Sequence, residues 1–438
     1  MADVRLQYQA YEEYKPSGVE WIGEIPFHWN VLKFKFLGKA IIGLTYSPED
    51  LCDPEEGTLV LRASNLHMGK FKYGIDENVY VRGSIPDKLK IRTNDILICS
   101  RNGSRDLIGK CALAAENDVG NSFGAFTTVF RSPRNSYLFQ ILNSDIFRRL
   151  SGSFLSSTIN QLTTGNLNSI QVPIPSEREQ NAIATFLDKK TSQIDQAIGI
   201  KEKLIELLKE RKQILIQNAV TRGLKLDVPM KDSGADWIGE IPAHWSVLKN
   251  RALFDQRIEP GKEDLPLLSV SIHTGVSSEE LSDEENIRGK IKIADKEKYN
   301  LVEPNDIAFN MMRAWQGGIG AVKVRGMVSP AYIIAKPNEK IFSPYFECLY
   351  RCSNFIQQMN RYSKGITDFR KRLYWDEFKQ LITLVPPYEE QIAIVEALDS
   401  LTSKVEKAMK LQSDQIDKLK EYKATLINSA VTGKIKVV

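Results

Sequence analysis

Two groups of residues in this chain carry side chains suited to reading the edges of nucleic-acid bases. Arg101-Asn102-Gly103-Ser104-Arg105 follows the apolar run Ile96 to Cys99, and Arg313, Trp315 and Gln316 follow Asn305-Asp306-Ile307. Arginine, asparagine and glutamine on loops beyond a strand can make bidentate hydrogen bonds to guanine or adenine in a major groove. Arg101, Asn102, Ser104, Arg105, Arg313, Trp315 and Gln316 are therefore candidate DNA contacts. A further cluster, Arg361, Lys364, Arg370, Lys371 and Arg372, is interleaved with Tyr362, Phe369, Tyr374 and Trp375. Its counterpart, Thr158 to Asn168, is polar but not basic and supplies Asn160 and Gln161 as candidates. Divergence at matching places fits two sites that read different sequences, and it fits drift as well. Solvated loop polarity is the alternative for any single residue.

Several fragments imitate catalytic signatures and fail on spacing or chemistry. Gly103 to Lys110 has one residue too many between its glycines for a phosphate loop, and Cys111 stands where Ser or Thr should bind magnesium. Gly317-Gly318-Ile319-Gly320 lacks the full dinucleotide fingerprint and reads as a turn. Val385-Pro386-Pro387-Tyr388 is similar to the Pro-Pro-Tyr loop of amino-methyltransferases, yet valine cannot accept the hydrogen bond that an Asp, Asn or Ser makes there. His28 and His244 occupy matching IPxHW segments, and neither has a second ligand at metal spacing. Their neighbours Trp29 and Trp245 point to packing. No nucleophile, base and orienter can be assembled, so no catalytic residue and no metal site is assigned.

The elements that must position the candidates occur twice. Ser17 to Lys33, SGVEWIGEIPFHWNVLK, returns as Ser233 to Lys249, SGADWIGEIPAHWSVLK, at an offset of 216 residues. Leu215 to Thr221, LIQNAVT, returns as Leu426 to Thr432, LINSAVT, at an offset of 211. Each repeat has a globular stretch in which short β-branched and aromatic runs are separated by turn residues: Thr58–Leu61, Asp95–Cys99 and Phe126–Phe130, then Leu267–Ser271, Asp306–Asn310 and Ala331–Ala335. Helical periodicity follows near Tyr137–Leu150 and Pro344–Met359. The expected fold is α+β: two similar globular domains, 1–175 and 227–384, and two long helical segments, 176–226 and 385–438.

Ser176-Glu177-Arg178-Glu179 has the form of a capping box and marks the first helix start. Apolar residues then fall at heptad positions, Leu187, Ile194, Leu208 and Leu215, interrupted at Lys201. The second repeat gives Leu398, Val405, Leu419 and Leu426, interrupted at Gln412. Sustained heptads argue for a coiled coil, and the economical partner for each helix is the other, run antiparallel about a pseudo-twofold axis. A helix from Ser176 to Val220 would measure roughly 68 Å, a stiff spacer against the ~34 Å repeat of DNA.

The 438 residues suit two cores rather than one. No apolar run is long enough to span a bilayer and Met1 to Ala10 carries no signal-peptide pattern, so a cytoplasmic chain without membrane contact is expected. Five cysteines, without CxxC spacing, indicate neither a disulfide framework nor structural zinc. The net charge is only +4, so any nucleic-acid binding must rest on local clusters or on a partner that supplies phosphate contacts.

The paired WIGEIPxHW openings at Trp21 and Trp237 combine with helix starts at Glu179-Gln180 and Glu390-Gln391 and helix ends NAVTRG and SAVTGK at Asn218 and Ser429. Together with Gly326-Met327-Val328-Ser329-Pro330-Ala331-Tyr332, they make the whole chain resemble the specificity subunit of type I restriction-modification systems. The first repeat departs at Arg222, which precedes Gly223 as an extra residue. The resemblance implies a chain without catalytic activity or a cofactor of its own. Its two target-recognition domains would each read half of a bipartite, asymmetric double-stranded DNA sequence, with the helical pair setting the gap. It implies two docked methyltransferase subunits using S-adenosylmethionine, and a restriction and translocase subunit using ATP and magnesium. The competing reading is a non-catalytic coiled-coil scaffold with two protein-binding heads.

Overall fold

The computed structural model describes residues 8–74, 78–144, 147, 160–225, 227–235, 237–279, 296–365 and 371–437. The fold is α+β, and the chain divides into two compact units. One comprises residues 1–202 with 413–438, the other residues 203–412. The sequence boundaries at 175, 226 and 384 separate heads from helices, whereas compactness groups each head with half of both long helices.

In the first unit, β1 (Lys39–Ile42), β2 (Ile96–Cys99), β3 (Cys111–Leu113) and β4 (Thr127–Arg131) form an antiparallel sheet in the order β3-β2-β4-β1. The first long helix is α1 (Glu177–Arg222). In the second unit, β5 (Phe254–Gln256), β6 (Ile307–Asn310), β7 (Ile319–Ala321) and β8 (Tyr332–Pro337) repeat the order as β7-β6-β8-β5. The second long helix is α2 (Tyr388–Val431).

The continuous apolar runs on the central strands have a physical cause. Both faces of the second sheet are buried, Ile307 and Phe309 against a core with Tyr345, Phe346 and Phe378, and Ala308 and Ile334 against a smaller cluster with Leu268 and Val302. All four residues of β2 are likewise fully buried, so neither strand has a solvent face for alternating polar residues. A carboxylate closes the start of each central strand. Asp95 is held bidentately by Arg131 of β4 at 2.9 and 2.6 Å, and Asp306 by Arg257 at 2.8 and 3.1 Å. The two aspartates match across the repeat but their arginines do not, because Arg131 lies on the inner strand β4 whereas Arg257 follows the edge strand β5.

Two expected elements differ in extent. The helix read near Tyr137–Leu150 spans Asn135–Leu142, and the residues at 145–146 and 148–150 lie outside those described. The stretch read as one helix over Pro344–Met359 is two, Ser343–Tyr350 and Ser353–Tyr362. Cys352 is extended between them, and the Arg351 guanidinium is drawn to the Ile272 and His273 carbonyls.

Within the first unit the halves of α1 and α2 run antiparallel: Lys423 Nζ bonds both carboxylate oxygens of Asp195 at 2.7 Å, and Lys201 Nζ reaches Gln415 Oε1. Within the second, Lys212 pairs with Glu406 at 2.9 Å. Leu187, Ile194, Leu398, Val405 and Leu426 are buried, whereas Leu208, Leu215 and Leu419 are half-buried. The heptad is therefore tightest where helix halves abut the globular cores.

Candidate nucleic-acid interface

The duplicated WIGEIPxHW segment anchors one helix start and one helix end. Asn30–Lys33 pairs with Gln171–Ile174, and Ser246–Lys249 pairs with Ile382–Val385, so the strand leading into each long helix is zipped to the motif. At the helix starts, Gln180 donates to the Pro175 carbonyl at 2.8 Å and Gln391 to that of Pro386 at 2.9 Å. His28 meets Glu179 at 2.9 Å and His244 meets Glu390 at 2.8 Å. Glu179 also completes the capping box with Ser176 and accepts from Trp29 Nε1 at 3.3 Å. Burial alone would raise its carboxyl. The hydrogen bonds from His28, Ser176 and Trp29 outweigh it and hold the group down at about 2.

At the helix ends, the Tyr137 hydroxyl donates to the Pro173 carbonyl at 3.0 Å and, less closely, to that of Val431 at 3.4 Å. The matching Tyr345 hydroxyl bonds the Val220 carbonyl at 2.9 Å. His28 is thus the partner of a helix-capping carboxylate and His244 of a carboxylate in the first turn of α2, which spacing along the chain could not reveal. Among the described residues no group of three His, Cys, Asp or Glu is placed to hold a metal ion.

Above this base the candidate readers come together in each unit. Leu162 donates its amide to the Ser100 carbonyl at 2.8 Å, and Leu373, 211 residues later, donates to Met311 at 2.9 Å. The same backbone bond therefore ties a distant segment to the loop after the central strand. In the first unit it brings Asn160 and Gln161 to Arg101–Arg105: Arg101 bridges Gln161, and Asn160 Nδ2 donates to the Gly103 carbonyl at 3.2 Å. In the second it brings Lys371 and Arg372 to Arg313–Gln316. Lys371 Nζ lies 5.4 Å from the Trp315 ring centroid and bonds Asn360 at 2.9 Å.

Lys364 and Arg372 exchange backbone hydrogen bonds at 2.8 Å, and the Lys364 ammonium pairs with Glu377. Arg370 lies outside the described residues. Gly103 to Lys110 leads into strand β3, not the helix a phosphate loop requires, and Pro386-Pro387-Tyr388 opens α2. Gly317, in the left-handed region at φ 91°, ends the short helical turn Ala314–Gln316.

Comparison with known proteins bears on what such paired sites serve. Residues 60–210 match the family described as the type I restriction modification DNA specificity domain. The specificity subunits of the type I restriction enzymes EcoKI, from Escherichia coli K12, and StySPI, from Salmonella potsdam, are 22% and 24% identical. Each alignment covers 94% of this chain and 90% of the relative. Over nearly its whole length this chain is thus similar to the specificity subunits of type I restriction enzymes. Solved structures share the fold. A chain from work on complex assembly and conformational transition of a type I R-M system aligns with TM-score 0.64 at 14% identity, covering 93% of this chain and 98% of that one. The HsdS subunit of Thermoanaerobacter tengcongensis aligns with TM-score 0.54 at 15% identity, covering 94% and 98%.

Sequence reading missed Phe126, which is 60% exposed and carries the Arg101 guanidinium 5.3 Å above its ring centroid. An aromatic residue flanked by Gly124 and Ala125 at a strand start was the available signal, since a phenylalanine left in water at a turn calls for a partner. No helix among the described residues is long and apolar enough to cross a membrane.

Proposed function

We propose that each unit reads one half of a bipartite, asymmetric double-stranded DNA sequence, and that the chain itself performs no catalysis. The observation that carries this is the repeated tie of Leu162 to Ser100 and Leu373 to Met311. One framework is used twice, with Arg101 on Phe126 in one unit and Lys371 beside Trp315 in the other. A shared scaffold presenting different cations and rings suits two different half-sites.

The two long helices act as the spacer that sets the unread gap; the antiparallel ion pairs within each unit support this. They also offer docking surface for two methyltransferase subunits, since Ile200, Leu204, Leu207 and Ile214 recur at helical spacing on α1 and are exposed. S-adenosylmethionine would be held by those subunits, and ATP and magnesium by a restriction and translocase subunit. The modest net charge of +4 fits an assembly whose partners share the phosphate contacts that dominate affinity. A soluble cytoplasmic setting follows from that role.

Single-molecule sequencing of DNA from cells producing this chain with its modification subunit tests the reading. N6-methyladenine in a split, asymmetric motif that depends on this chain is expected. An active, bound modification subunit with no chain-dependent motif would favour the scaffold with protein-binding heads.

A further inference from the structure

The first unit contains a cleft of about 550 Å³ whose rim includes Tyr46, Arg62, Arg101, Asn102 and Phe126. Its walls are fixed by backbone bonds: Leu44 donates to the Phe123 carbonyl at 2.7 Å, Ala125 to Leu44 at 2.9 Å, and Gly124 to Leu61 at 2.9 Å. A side chain at Gly43 could not be accommodated, since its Cβ would lie 2.3 Å from the carbonyl oxygens of both Phe123 and Gly124. Opposite this wall, Arg101 is held by its backbone on both sides, through its amide to the Phe126 carbonyl at 3.0 Å and through the bridge to Gln161. Its guanidinium lies over the exposed Phe126 ring.

The amides beside it are already engaged. Asn102 Oδ1 accepts the Ser104 amide at 2.9 Å, and Asn160 Nδ2 donates to Gly103 at 3.2 Å. Each of these two amides commits one hydrogen bond to holding the loop. Arg101 differs: among the described residues no carboxylate or carbonyl holds its guanidinium, and the ring beneath restricts its plane without consuming its N–H groups.

We propose that Arg101, stacked on Phe126 at the mouth of this cleft, is the specificity-determining residue for a guanine in the half-site read by the first unit. The guanidinium edge donates two hydrogen bonds to guanine O6 and N7, and Phe126 fixes the plane in which that edge approaches the base pair. The assignment rests on the reading that each unit recognises one half-site. It makes Asn102 and Asn160 positioning residues.

The test is made on the assembled complex of this chain with its modification subunit. Duplexes randomised across both half-sites are methylated, and modified positions are sequenced for wild type, R101K and F126A. The wild-type half-site is expected to contain guanine. R101K keeps the charge but loses the fork, and should reduce discrimination at that one position by roughly 5- to 150-fold, leaving the other half-site unchanged. F126A should weaken discrimination at the same position by a smaller factor. A split motif without guanine in that half, or one left unchanged by both variants, overturns the proposal alone. A uniform loss of rate across all sequences in R101K makes Arg101 a phosphate contact and overturns it as well. A wild-type assembly that methylates no defined motif overturns the half-site reading and this assignment with it.

Discussion

His28 and Glu179 meet at 2.9 Å although 151 residues separate them, and Glu179 belongs to the first turn of α1. One carboxylate thereby caps the helix, receives the imidazole and accepts the Trp29 indole. Its pKa, lowered to about 2 from the ordinary 4.5, has a definite sign in linkage. The carboxylate's contribution to stability is fully present above the unfolded value and is lost as pH falls through the folded one. Glu179→Gln should therefore lower stability at pH 7 by about 1.5–3 kcal/mol, the range for hydrogen bonds to a charged group. The deficit should shrink as pH drops from about 4.5 toward about 2. Denaturant titrations at pH 7 and pH 3 measure it, and an equal deficit at both would refute the ionised cap.

Gly433 and Gly223 close the two long helices with φ of 70° and 75°, so alanine at either is strained by roughly 1 kcal/mol or more. Their surroundings separate them. A Cβ at Gly433 would lie 2.3 Å from Pro26 Cδ, inside a rigid ring, whereas at Gly223 the nearest atom is Glu390 Oε1 at 3.0 Å, the far end of a flexible side chain. Gly433→Ala should lower Tm clearly more than Gly223→Ala. Equal losses would mean that the contact with Pro26 does not constrain the helix end.

The heptad residues are unequal in burial, and charge placed at them should reveal it. Leu187 and Leu426 have no exposed surface, so aspartate there strands a charge in the core at a cost of several kcal/mol. Leu208 and Leu419 are half-buried and leave an aspartate partly hydrated. Leu187→Asp and Leu426→Asp should abolish soluble expression or cooperative unfolding. Leu208→Asp and Leu419→Asp should leave folded chains whose association with the modification subunit is weakened. Loss of folding in all four alike would argue against a seam loosened towards its middle.

Much of this was legible in the sequence for reasons that are local. Heptad spacing, the Ser176 and Glu179 capping box and the apolar runs at Thr58–Leu61 and Ile96–Cys99 depend on neighbours within a few residues, and the structure places elements there. What escaped was long-range pairing. Nothing in the spacing of His28 shows that Glu179 will arrive beside it, nor that Arg131, on β4, and Arg257, just after β5, serve the equivalent carboxylates of Asp95 and Asp306. The interface followed the same division. Loops after strands marked Arg101 and Arg313, but Phe126 came to notice only through the backbone bond that folds its strand start beneath Arg101.

In the second unit, residues of the one basic cluster face different neighbours. The Lys364 ammonium is paired with Glu377, so much of its charge is offset before DNA arrives. Lys371 lies over Trp315 and bonds Asn360. Each phosphate neutralised by a lysine contributes close to one unit to the slope of log affinity against log salt. Lys371→Ala in the assembled methyltransferase should weaken DNA binding at every sequence and reduce that slope by up to about 1, and Lys364→Ala, whose ammonium is paired with Glu377, should reduce it by less than 1. Fluorescence anisotropy with duplex DNA over a salt series, with subunit association checked by gel filtration, separates the two. A slope unchanged by Lys371→Ala would remove this cluster from the DNA-binding surface, and a larger change from Lys364→Ala would show that Glu377 yields its partner to the phosphate.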